Sequence, residues 1–235
     1  MLTKQKLQQL AQNDKEKLQE LVEYRSKGED EHFLDYLINQ GVIYSSTKEE
    51  LDKRLQEIDL TLEELNLQNE RVVENGWLFP AYSIDNKWLY WINYSNTRES
   101  NKKYLNVVQN NQQDKLVYGL DTVGEAVKHH QLVWVEGVID QCRLASYGVP
   151  TVATLGTSVS EYMKRLSKRV HQNIIIPDND ASEKTAIGRN FGSHLQKQLT
   201  NARTFGLTYV KDIDDCYSEI PEQFFWIVEQ LTEFE

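Results

Sequence analysis

Leu132-Val133-Trp134-Val135-Glu136-Gly137-Val138-Ile139-Asp140 is a short apolar run that stops abruptly in acid, and Asn173-Ile174-Ile175-Ile176-Pro177-Asp178-Asn179-Asp180 repeats the pattern further along. Continuous apolar runs of this length fit strands buried on both faces, as in a parallel sheet. Carboxylates that begin where such a strand stops lie at the carboxyl edge of the sheet, where open α/β sheets place their ligands. Desolvated carboxylates side by side repel one another, so a cluster of them calls for a bound cation or a shifted pKa. Hard oxygen donors of this kind suit Mg²⁺ or Mn²⁺. For one such pair alone, the competing reading is that strand-end acids simply face water.

Working outward, the chain from residue 131 alternates strand and helix. The strand ending at Glu136 leads into a helix through Asp140 and Leu144. Thr151-Val152-Ala153-Thr154-Leu155 reads as a second strand, broken by Gly156-Thr157-Ser158. A helix over Tyr162 to Val170, the strand ending at Asp178 and a helix from Ala186 to Gln198 follow. Thr208-Tyr209-Val210 then reads as a last strand, ending in Lys211-Asp212-Ile213-Asp214-Asp215. Such alternation predicts a parallel sheet with helices on both faces. Three acidic loci thus fall at three expected strand ends: Glu136, the pair Asp178 and Asp180, and the pair Asp212 and Asp214. An Asp-x-Asp at a strand terminus can aim both side chains at one cation. Three coincidences weigh heavily against the solvent-facing reading.

Residues 1–75 read as a helical, acidic segment. Leu7, Leu10, Leu18, Leu21 and Val22 keep helical spacing from a cap at Thr3. Phe33, Leu34, Leu37 and Ile38 mark a second helix closed by Gly41. Ser46-Thr47-Lys48-Glu49 and Thr61-Leu62-Glu63-Glu64 are capping-box sequences that would start two more. Residues 76–130 have a different texture. Trp77-Leu78-Phe79-Pro80-Ala81-Tyr82-Ser83 and Lys87-Trp88-Leu89-Tyr90-Trp91-Ile92-Asn93-Tyr94 suit strands, with Asp85-Asn86 as the turn between them. Arg98, Lys102, Lys103 and Asn106 then form the densest basic cluster outside the helices. Aromatic residues interleaved with such groups can stack bases and hold phosphates, although most aromatic strand residues merely fill a core. The adjacent His129 and His130 point in different directions on a helix, which makes a poor metal pair. Residues 131–218 carry the alternating pattern, and 219–235 read as a short amphipathic helix.

Bulk properties narrow the class. A formal net charge of -10 over 235 residues speaks against a whole-surface nucleic-acid binder, but leaves room for a local basic groove. No run of about twenty apolar residues and no signal-peptide pattern occurs, so a cytoplasmic protein without a membrane partner is expected. The two cysteines, Cys142 and Cys216, lack paired ligand spacing, so neither a zinc site nor a disulfide is expected.

The order Glu-Gly, then Asp-x-Asp, then Lys-Asp-x-Asp resembles the Toprim domain, which occurs in primases, topoisomerases, nucleases and recombination proteins. In detail, Glu136-Gly137-Val138-Ile139-Asp140, Leu155-Gly156-Thr157, Asp178-Asn179-Asp180-Ala181 and Lys211-Asp212-Ile213-Asp214 resemble successive motifs of DnaG-type primases. Upstream, Trp77-Leu78-Phe79-Pro80, Lys103-Tyr104-Leu105-Asn106 and Tyr118-Gly119-Leu120 look like the blocks that precede Toprim in that family. The resemblance implies an α/β fold: a Toprim domain preceded by a small basic α+β subdomain and an N-terminal helical segment. It implies a primase catalytic core that makes short RNA primers on single-stranded DNA from ribonucleoside triphosphates, with Mg²⁺ or Mn²⁺ and no zinc.

By the same resemblance, Glu136, Asp178 and Asp180 are catalytic. These three with Asp212 and Asp214 would ligate metal, and Asp140 would support them. Arg98, Lys102, Lys103, Asn106 and Lys115 would hold template or nucleotide. Departures are plain as well: the cysteines of a zinc module are missing, and Arg98 does not keep the family's spacing to Lys103. A helicase or a separate zinc-module protein is therefore an expected partner, with the N-terminal helices as the candidate contact. The pared-down architecture leans towards a phage or plasmid. A Toprim nuclease and a catalytically silent binding module are the alternatives.

Overall fold

The N-terminal leucines share a helical face, but not a single helix. In the computed structural model, which describes residues 2–69, 73–95, 104–107, 117–156, 158–179 and 191–233, α1 (Leu2–Asn13) and α2 (Lys15–Ser26) meet at Asp14. Thr3 lies inside α1 rather than capping it. The Asp14 carboxylate accepts the Tyr44 amide at 3.0 Å and pairs with Arg54, so the break is tied to the strand that follows. Gly41 closes α3 (Glu31–Gln40) at φ 75°, where its amide reaches Ile38 and that of Val42 reaches Leu37. The first capping box is displaced by one residue: Thr47, not Ser46, caps α4 (Lys48–Gln56), accepting the Glu50 amide. The second capping box behaves differently. Thr61 and Glu64 exchange both expected hydrogen bonds, 3.1 and 2.9 Å, yet the segment remains a turn because Asn66 turns to φ 55° and Leu67 bonds back to Leu62.

Two compact units divide the chain: residues 1–23 with 34–112, and residues 24–33 with 113–235. The first holds an antiparallel sheet in sequential order, β1 (Ile43–Ser45), β2 (Gly76–Tyr82), β3 (Trp88–Tyr94) and β4 (Tyr104–Val107). A domain boundary at 75/76 is not observed, because Ile43, Tyr44 and Ser45 pair with Leu78, Trp77 and Gly76. The hairpin at Asp85-Asn86 forms as expected, closed by the Ser83 amide on the Lys87 carbonyl at 2.8 Å. Pro80 is tolerated in β2 because β1 reaches only as far as Leu78, leaving Pro80 a ladder partner on the β3 side alone. The core of this unit is aromatic. Trp77, Phe79, Tyr82, Tyr90, Trp91 and Tyr94 are all buried, and the indole N–H groups of Trp77 and Trp91 reach the carbonyls of Lys17 and Leu65.

The second unit is built on a parallel sheet, as the apolar runs predict. Its strands are β5 (Gln131–Val135), β6 (Thr151–Ala153), β7 (Gln172–Ile175) and β8 (Ala202–Thr204), in the spatial order β6-β5-β7-β8. All three pairings are parallel. The helices are α5 (Val123–Lys128), α6 (Val138–Ser146), α7 (Glu161–Ser167), α8 (Phe191–Gln198), α9 (Ile213–Glu219) and α10 (Pro221–Thr232). Tyr118 adds an antiparallel bridge to Ala153. The next residue must be glycine: Gly119 sits at φ 87°, and a Cβ there would lie 2.5 Å from the Gln141 amide nitrogen. Asn173 ties β7 to its surroundings, accepting the Trp134 indole N–H and donating to the carbonyls of Ser167 and Thr200.

Chain direction decides where a ligand belongs. From β5 the chain moves to β6 on one side, then crosses to β7 on the other, so the strand order reverses at β5. Crevices at such reversals, beyond the carboxyl ends of the strands, are the ligand sites of open α/β sheets. Glu136 is the first residue past that end of β5. Thr208-Tyr209-Val210 is not a strand. Tyr209 takes φ 66° with its side chain 93% exposed, and the last strand is instead Ala202–Thr204. Cys142 and Cys216 are free and buried, and His129 and His130 are exposed. Among the described residues, no helix is long and apolar enough to cross a membrane.

Candidate functional site

Two expected acids meet at the reversal point. A Glu136 Oε1 accepts the Asp178 amide at 3.3 Å, joining the loop after β5 to the loop after β7. Asp178 keeps its side chain 20% exposed, accessible from the crevice. Asp180 lies outside the described residues, as do Arg98, Lys102, Lys103 and Lys115. Asn106 is on β4, opposite Ile92.

Asp212 reaches the same place by a different route from the one its sequence suggests. It is the N-cap of α9, accepting the Asp215 amide at 2.8 Å, and not the end of a strand. This geometry separates the Asp-x-Asp pair. Asp212 faces Lys211, whose Nζ lies 3.0 Å from Asp212 Oδ2 and 3.8 Å from Asp178 Oδ2. Asp214, already inside the helix, turns into the protein.

There Asp214 meets two guanidinium groups. Arg25 Nε donates to one carboxylate oxygen at 2.5 Å, and Arg143 Nε donates to the other at 2.8 Å. Its side chain is only 1% exposed, so both oxygens expected for a metal are committed to arginine. The cause is the placement of Arg143 on α6. That side chain is completely buried, with its guanidinium 3.8 Å from the Phe33 ring centre and 4.1 Å from that of Tyr217. Its remaining donors pair with Asp30 and reach Ser26 Oγ at 3.0 Å. Asp30 in turn accepts the Phe33 amide at 3.0 Å and the Tyr147 hydroxyl at 3.2 Å. A buried arginine satisfied on every side holds its partners in fixed orientation, because losing either leaves an uncompensated charge.

Asp140 links this network to the crevice. Its Oδ1 accepts the Asp214 amide at 3.1 Å, and a Cβ on Gly137 would lie 2.5 Å from its Oδ2. Glycine after Glu136 therefore makes room for the Asp140 carboxyl. Burial, followed by the negative charges of Asp212, Asp178 and Asp214, pushes the Asp140 carboxyl well above the usual aspartate range. Asn179 fastens the other side. Its amide donates to the Lys211 carbonyl at 2.7 Å, and its side-chain nitrogen donates to the carbonyls of Val210 and Leu207 at 2.6 and 3.0 Å.

Glu136, Asp178 and Asp212 thus bring carboxylates to one crevice with the Asp140 carboxyl buried behind them, and an ammonium group already lies against two of them. Carboxylate oxygens are the donor type that a hard divalent cation takes. No three His, Cys, Asp or Glu side chains converge as a ready metal group among the described residues. The sequence reading gave no role to Arg25, Asp30, Arg143 or Asn179. The available signal was Arg143 itself, an arginine one turn after Asp140 in a helix buried from Val138 to Leu144.

Comparison with known proteins agrees with this architecture. Residues 133–217 match the family described as Toprim-like. The RNA polymerase domain of Mycobacterium tuberculosis primase DnaG is 19% identical at a TM-score of 0.71, over 95% of this chain and 78% of that one. The DnaG primase catalytic domain bound to single-stranded DNA is 20% identical at 0.62, over 96% and 81%. The Aquifex aeolicus primase, comprising zinc-binding and RNA polymerase domains, is 20% identical at 0.68, over 90% of this chain. The chain spans only 55% of that longer protein. No curated protein sequence matches. The chain therefore has the fold of the DnaG catalytic core, with a Toprim-like segment at its carboxyl-terminal side.

Proposed function

We propose that this chain is the catalytic core of a primase, joining ribonucleotides into short primers on single-stranded DNA by metal-dependent nucleotidyl transfer. The observation that carries the reading is the extent of the likeness. It runs over 95% of the chain and includes the antiparallel sheet unit as well as the Toprim-like segment. A nuclease sharing only the Toprim-like acids would have no need of the upstream unit.

On this reading Glu136, Asp178, Asp180 and Asp212 hold Mg²⁺ or Mn²⁺. Bound there, the metal supplies charge stabilisation at the reacting phosphate and a more acidic attacking hydroxyl. Glu136 would serve as metal ligand or general base, and its contact with the Asp178 amide keeps the two loops in register. Asp140 braces the helix that carries Asp212 by accepting the Asp214 amide. Asp214 is assigned a positioning role in place of metal ligation, because its oxygens are held by Arg25 and Arg143. Arg98, Lys102, Lys103, Asn106 and Lys115 remain the proposed contacts to template and nucleotide. The net charge of -10 is compatible, since the groove need only be locally basic. A helicase or a zinc-module protein is the proposed partner for choosing the start site.

The test uses end-labelled single-stranded DNA, ribonucleoside triphosphates and Mg²⁺ or Mn²⁺, with and without an annealed primer. Template-dependent RNA synthesis is the expected result. Shortening of the labelled DNA would establish a nuclease in its place, and binding without either product would establish a silent module.

A further inference from the structure

Lys211 stands where a cation is wanted. Its ammonium is 3.0 Å from Asp212 Oδ2, a hydrogen-bonded ion pair, and 3.8 Å from Asp178 Oδ2, a longer electrostatic contact. The two carboxylates are 8% and 20% exposed, whereas the Lys211 side chain is 47% exposed. The cation is thus the accessible member of the group. Its backbone, by contrast, is pinned. The Lys211 carbonyl accepts the Asn179 amide, the carbonyl before it accepts the Asn179 side chain, and the residue after it caps α9.

We propose that Lys211 is the resident counter-cation of the acidic centre, neutralising Asp178 and Asp212 in the metal-free protein and swinging towards solvent when a divalent ion takes those carboxylates. The inference rests on the reading that these acids hold metal. An ammonium in contact with the same oxygens competes with the ion twice over, by occupying lone pairs and by repelling its charge. A lysine suits such a role better than an arginine, because a flexible four-carbon stem can carry its point charge away from a fixed backbone. The nearby acids would otherwise repel one another across a crevice from which Asp140 has already lost most of its solvent. The ammonium therefore holds the loop after β7 against the N-terminus of α9 before metal arrives.

The experiment is a Mn²⁺ titration of the full chain, followed by electron paramagnetic resonance, on wild type, Lys211→Met and Lys211→Arg. Melting temperatures with and without Mn²⁺ are measured in parallel. Removing the charge should tighten Mn²⁺ binding about tenfold, the effect of one unit charge on a divalent ion several ångströms away in a solvated site. Lys211→Arg keeps the charge and should bind no more tightly than wild type. Lys211→Met should also melt lower than wild type without metal and gain more on adding it. Lys211→Gln serves the same purpose if the methionine variant does not fold. Equal or weaker binding by the neutral variants overturns the role of Lys211 while leaving the metal site standing. Absence of Mn²⁺ binding in all variants overturns both.

Discussion

The two sheets of this molecule solve the problem of burial in opposite ways. The antiparallel unit fills its core with Trp77, Phe79, Tyr82, Trp91 and Tyr94, and its buried polar residues, among those described, are the uncharged Gln40, Ser45, Asn93 and Ser95. The parallel unit buries Asp30, Asp140, Arg143, Asp212 and Asp214. Aromatic burial stabilises without further conditions, at roughly 25 cal/mol per Å² of apolar surface. Buried charge stabilises only while every partner is present, and an apolar core of the same shape commonly does as well or better. A chain able to build the first kind of core keeps the second kind where orientation matters more than stability. Here that place is the crevice beyond β5.

The contrast can be broken by substitution. Arg143→Ala should cost about 3–5 kcal/mol, because Asp30 is left as an uncompensated buried carboxylate and Asp214 keeps only its pair with Arg25. The loss would be read from urea unfolding followed by tryptophan fluorescence. Combining Arg143→Met with Asp30→Asn should recover most of that loss, since Asp214 keeps its pair with Arg25 and no buried charge is left unpaired. On the proposed function, the same double variant should still incorporate ribonucleotides poorly, because Asp214, on the helix that Asp212 caps, loses one of its two guanidinium anchors. Activity that returned together with stability would reduce the network to packing. In the antiparallel unit, Leu78→Ala should cost about 2–5 kcal/mol through the cavity it leaves, with no partner substitution able to restore it. Thr47→Ala removes the cap of α4 and should cost about 1 kcal/mol. Calorimetry of the two single variants would rank them.

Much of this was legible in the sequence because it depends on neighbours in the chain. The runs before Glu136 and Asp178 gave two parallel strands, Asp85-Asn86 a hairpin, Gly41 a helix end and Ser46-Thr47 the start of α4 to within one residue. Errors arose where a local signal was overridden by distant contacts. Thr208-Tyr209-Val210 has β-strand composition, but Asn179 holds the carbonyls of Leu207 and Val210, and the segment bends instead of extending. Thr61 and Glu64 made both capping-box bonds without starting a helix. The fate of Asp214 could not be read locally at all. Its partners Arg25 and Arg143 are 189 and 71 residues away, and only the folded chain brings them together. Asp212 and Asp214 look equivalent in a motif, yet one caps a helix at the crevice and the other is locked between guanidinium groups.

The most direct test of the account is template-directed ribonucleotide incorporation by wild type and Asp178→Ala, assayed together on primed single-stranded DNA with Mg²⁺. The account predicts synthesis by the wild type that falls at least about 10³-fold in the variant, the several kcal/mol that a metal-held charge clamp supplies, with unfolding at an unchanged urea concentration. Undiminished synthesis by Asp178→Ala would contradict it.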